Sequence, residues 1–63
     1  MYNEYDVVKA KRRLSEKVFK GCKGAILMVF ESSPTAYEVE FVDNKGNSLE
    51  VMTVSEKDIE QEL

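Results

Sequence analysis

From Tyr37 onward the chain alternates apolar and polar residues, breaks at a glycine, and alternates again. Tyr37, Val39 and Phe41 are interleaved with Glu38 and Glu40, and Leu49 and Val51 flank Glu50. A period of two sends successive side chains to opposite faces of a strand, so the pattern predicts strands over Tyr37–Val42 and Ser48–Val54. Parity then selects the loop between them. A three-residue loop, Asn44, Lys45 and Gly46, with Gly46 in the left-handed conformation, pairs Phe41 with Leu49, Val39 with Val51 and Tyr37 with Thr53. A two-residue loop pairs Phe41 with Glu50 and mixes apolar with charged on each face, so the odd loop is expected.

Upstream, Tyr5–Ala10 is short and β-branched, which predicts a first strand. Lys11–Lys23 holds Leu14 and Val18 at helical spacing but ends among glycines, and reads as a long loop with one helical turn, pinned to the core by Leu14, Val18 and Phe19. Ala25–Phe30 is apolar on both faces of a strand, which requires a central place in a closed sheet or a cover over one face. Pro34 then enforces a turn. Ser55 and Asp58 resemble a capping box with aspartate in place of glutamate, predicting one short helical turn before a last strand over Ile59–Leu63. The whole predicts an all-β fold: a small five-stranded SH3-like barrel with a long first loop, a single domain over residues 1–63. An OB-like barrel normally needs a longer chain.

Length narrows what such a domain can do. A chain of 63 residues hides only about 60% of its unfolded surface, so a deep substrate cavity is not expected and stability is marginal without help. Disulfides, a metal or a homo-oligomer are the usual aids. One cysteine and no histidine close the first two routes. The same thiol count, with no secretory signal and no membrane-length apolar run, predicts a reducing cytoplasm and no membrane association. Without histidine there is no ordinary catalytic triad and no zinc site, and a Glu38/Glu40 acid–base pair needs a walled pocket. Cys22, beside Lys20 and Lys23, reads as a small packing residue rather than a reactive thiol. Neither enzymatic activity nor a cofactor is expected.

Charge sharpens the expectation. The net charge is −3, but residues 1–8 sum to −2, residues 9–23 to +6 and residues 24–63 to −7. The odd-loop register sets Glu40 opposite Glu50, with Glu38 next along the same face, and like charges in such a pair repel mildly. The face is either simply solvated or receives a basic patch, the chain's own Lys11–Lys23 loop or one on another protein, with Asp43 joining the contact and Tyr37 or Phe30 as aromatic anchors at its edge. A non-catalytic protein-binding module is the leading expectation. The alternative is a nucleic-acid-binding barrel using Lys9, Lys11, Arg12, Arg13, Lys17 and Lys20; against it stand an acidic remainder and the lack of an aromatic interleaved within Lys9–Arg13 to stack a base. An accessory subunit of a larger complex, or a phage-encoded inhibitor, would suit the same small acidic barrel.

Four stretches carry a family resemblance: Asp6-Val7-Val8, Gly21-Cys22-Lys23-Gly24, Ala36-Tyr37-Glu38-Val39-Glu40-Phe41-Val42-Asp43, and Thr53-Val54 with Asp58-Ile59. Together they resemble a small bacterial family catalogued as domain of unknown function 4926. The resemblance spans nearly the whole chain and implies an SH3-like barrel. It also implies an antitoxin or immunity-like role, as the small partner of a toxin-like protein. The basic first loop departs from the family pattern and bears on the choice of partner.

Overall fold

The computed structural model describes residues 1–62. Strands β1 (Val7–Ala10), β2 (Lys23–Phe30), β3 (Ala36–Val42), β4 (Ser48–Ser55) and β5 (Ile59–Gln61) form one antiparallel sheet in the order β4-β3-β2-β1-β5. Leu63, expected to end the last strand, lies outside the described residues. A 3-10 turn at Glu56–Asp58 joins β4 to β5. The Asp58 carboxylate accepts the Ser55 amide at 3.0 Å and its hydroxyl at 3.2 Å, the backward half of the predicted capping box.

A single sheet with no helix to cover it can bury a core only by curling on itself. Val8 and Ala10 of β1, Ile26 of β2, Tyr37, Val39 and Phe41 of β3, Val54 of β4 and Ile59 of β5 meet on the inner face. Val18 of the long loop joins them, fully buried. The all-β, five-stranded reading therefore holds, with β4 and β5 as unpaired edges rather than a closed seam among the described residues. The helical turn expected within Lys11–Lys23 does not form. Instead the Ser15 hydroxyl accepts the amides of Lys17 and Val18 at 3.2 and 3.1 Å, and the Leu14 amide donates to the Val18 carbonyl, a local network that competes with helix.

The β3–β4 turn begins as expected. Val42 pairs with Ser48, the Asp43 amide donates to the Asn47 carbonyl at 2.9 Å, and Gly46 has φ +85°. One residue later the register departs from parity, because Phe41 pairs with Glu50 and leaves Leu49 as an extra residue in a β-bulge. From there Glu40 pairs with Val51, Val39 with Met52, Glu38 with Thr53 and Tyr37 with Val54. The expected pairs Phe41 with Leu49, Val39 with Val51 and Tyr37 with Thr53 are thus replaced, and Glu40 does not oppose Glu50. The cause lies in β4, whose two alternate sets each carry apolar residues; the bulge turns inward the set holding Met52 and Val54 and leaves Val51 and Thr53 outside.

A second bulge, at Leu27, separates the pairs Ile26–Val39 and Met28–Glu38. Gly24 is no loop terminus: it lies inside β2, opposite Phe41, where an added Cβ would come within 2.6 Å of Val39 Cγ1 and 2.9 Å of the Phe41 ring. Only glycine lets β2 and β3 approach this closely.

Candidate protein-binding face and the basic loop

Since Tyr37, Val39 and Phe41 are fully buried, the alternate residues of β3 point outward. The ladder places Glu38 between Met28 and Thr53, and Glu40 between Ala25 and Val51, with Val7 of β1 beyond Ala25. Next along, Phe30 pairs with Ala36. Both glutamates are half-buried, and neither forms an ion pair among the described residues. Around them Val7, Leu27, Met28, Phe30 and Val51 are exposed by 37 to 49%. β2 is central, as its two-sided apolar pattern requires, but no element among the described residues covers its outer face.

Three residues expected at this surface are elsewhere. Tyr37 is fully buried, its hydroxyl accepting the Tyr2 amide at 3.2 Å and its ring meeting Tyr2 edge-on at 5.5 Å. Glu50 is turned by the bulge to the inner side, where its carboxylate accepts the Ser15 hydroxyl at 2.7 Å and ties the basic loop to the hairpin. Asp43 is consumed by its own turn. Its carboxylate accepts the Asn47 amide at 2.8 Å, the Asn47 side chain at 3.2 Å and the Lys45 amide at 2.9 Å, bonds that hold it below the usual carboxylate range. Glu38, Glu40 and Phe30 remain on the outer face. Val7, Leu27, Met28 and Val51 were not singled out from the sequence, although the double-sided apolar run of β2 pointed toward such a surface.

The basic residues divide as well. Lys9 lies opposite Glu60 and beside Lys23, and Glu60 and Glu62 offset this like-charge pair at 3.1 to 4.0 Å. Arg12 reaches Asp58 at 2.7 Å. Burial pushes the Asp58 carboxyl up, but hydrogen bonds from Ser55 and Arg12, together with the guanidinium charge, hold it below its ordinary value. Lys11, Arg13, Lys17 and Lys20 are exposed and form no ion pair among the described residues. Phe19, expected in the core, is 55% exposed, with the Arg13 guanidinium 5.1 Å above its ring. Fully buried Val18, with half-buried Leu14 and Cys22 packed beside it, anchors this loop to the core.

The family described as domain of unknown function 4926 matches residues 4–61. The chain belongs to this family. No curated protein and no solved structure matches it. The match takes in all five strands and the basic loop of this member of domain of unknown function 4926, so both charged regions lie within the matched residues. Within it, Cys22 is half-buried at the end of the basic loop. Burial and the nearby Asp43 charge raise the thiol's pKa against a lowering backbone hydrogen bond at Val42, opposite to the activation that Lys20 and Lys23 would give. Among the described residues, no cluster of acidic residues and cysteine is placed to hold a metal ion, and no helix is long and apolar enough to cross a membrane.

Proposed function

We propose that this protein is a non-catalytic protein-binding module that docks its partner on the outer face of β2, β3 and β4. One observation carries the reading: two outward glutamates of β3, without ionic partners among the described residues, sit inside a ring of exposed apolar side chains. A solvated face would have no need of Leu27, Met28 and Phe30 together beside Val51. Apolar contact supplies affinity at the centre of such an interface, while charges set orientation and association rate. The complementary surface is an apolar patch carrying lysine or arginine. The antitoxin or immunity-like role implied by the family resemblance makes the partner a toxin-like protein and the consequence of docking its inhibition.

The test uses the wild-type chain and the Glu38→Lys/Glu40→Lys variant as parallel baits in the native host, with folding of both checked by circular dichroism. A protein held by the wild type and bound roughly 5- to 150-fold more weakly by the variant is the expected partner, the loss being largest at low salt. That partner's activity should fall when the wild type is added. Equal capture by both baits would remove the outer face from the interface.

A further inference from the structure

Beyond the sheet face, the structure holds a second surface of opposite character. Where the basic loop meets the β3–β4 hairpin lies a cleft of about 350 Å³, walled by Lys17, Phe19, Lys20, Lys23 and the bulge residue Leu49. It combines an exposed aromatic ring with ammonium groups in one concavity. Arg13 extends the platform: its Nε donates to the Ser15 carbonyl at 3.0 Å, which holds the guanidinium over Phe19. The lining acid, Asp43, has its carboxylate already engaged by the amides of Lys45 and Asn47. Lys17 and Lys20 have no ionic partner among the described residues, and residues 9–23 carry +6 in a chain that is −3 overall.

We infer that this cleft binds single-stranded nucleic acid, with a base stacked against Phe19 and adjacent phosphates on Lys17, Lys20 and Arg13. An aromatic platform beside unpaired cations is the common arrangement for such strands, because every base offers a π-face. A duplex hides those faces. An acidic peptide would use the lysines but gain nothing from the ring. Lys9 and Arg12 take no part, since Glu60, Glu62 and Asp58 hold them. The site is separate from the proposed docking face, so either can fail alone.

Fluorescence anisotropy with labelled oligouridylate over a range of salt concentrations tests the inference. The wild type should bind saturably at low salt, with affinity falling linearly in log–log form. Phe19→Ala should weaken binding roughly 5- to 150-fold. Because Phe19 is mostly exposed, thermal unfolding should show that this variant still folds. Replacing Lys17 and Lys20 together by glutamine should reduce the salt slope by about 1.4, the share expected for two single-strand phosphates. Absence of saturable binding at low salt would overturn the inference. So would undiminished binding by Phe19→Ala, or equally effective competition by duplex RNA or polyglutamate, since each would leave only general attraction for anions.

Discussion

The outer sheet face and the basic loop are both rich in charge, yet they hold it by different means. On the face, Glu38 and Glu40 are positioned by backbone pairing on both sides of β3, so their carboxylates are spared any structural task. The loop has no ladder of its own. Its path is set by side chains, through buried Val18, the Ser15 hydroxyl on Glu50 and the Arg12–Asp58 pair, so that several of its polar groups are already spent. The consequence is general for small domains. A strand can display a charge without using it, whereas a long loop must use some of its charges to exist as a defined structure, and only the remainder face outward.

The contrast can be broken most forcefully at Gly24, which lets β2 and β3 close. Gly24→Val should cost about 3 kcal/mol by driving a side chain into Val39 and Phe41, and chemical denaturation should show the whole sheet losing stability together. On the loop side the expected losses are smaller and depend on pH. Asp58→Asn should cost about 1.5 kcal/mol at neutral pH, through weakened bonds to Arg12 and Ser55. Because the folded-state pKa of Asp58 is depressed, its contribution is fully present above the unfolded value of about 3.9 and is lost as pH falls through the lower folded value. Denaturation midpoints of the wild type and Asp58→Asn should therefore converge in acid; a constant gap would remove the carboxylate from the account. The smallest effect belongs to the tether between the two regions. Glu50→Ala should cost about 1 kcal/mol and speed amide hydrogen exchange at Lys17 and Val18 while leaving the β2–β3 amides protected. Faster exchange throughout the sheet would show that loop and face are one cooperative unit.

The strands were legible because alternation is a direct imprint of a sheet with one buried face. Gly46 and the odd turn were legible for the same reason, as was the Asp58 cap. The bulges at Leu27 and Leu49 were not, since a bulge is a local backbone event and β4 presents an apolar set in either phase. With the bulge missed, Glu50 was placed beside Glu40 on the outside, although it lies inward on Ser15. Phe19 departs from the expected core position for a simpler reason. It adjoins Val18, and in an extended loop two neighbouring side chains cannot both face the core. The exposure of Val7, Leu27, Met28 and Val51 follows from which strands lack cover, a property of the assembled sheet rather than of any one segment.

Leu49 also marks where this chain can change length without changing its inside. Deleting it would convert the bulged pair into an ordinary ladder in which Phe41, Val39 and Tyr37 keep Glu50, Met52 and Val54 as neighbours, whereas deleting Thr53 would turn over every side chain beyond it. A deletion at this position therefore leaves the core pairs unchanged and alters only the wall of the cleft. Such a shortened chain would carry a remodelled wall around an unaltered interior.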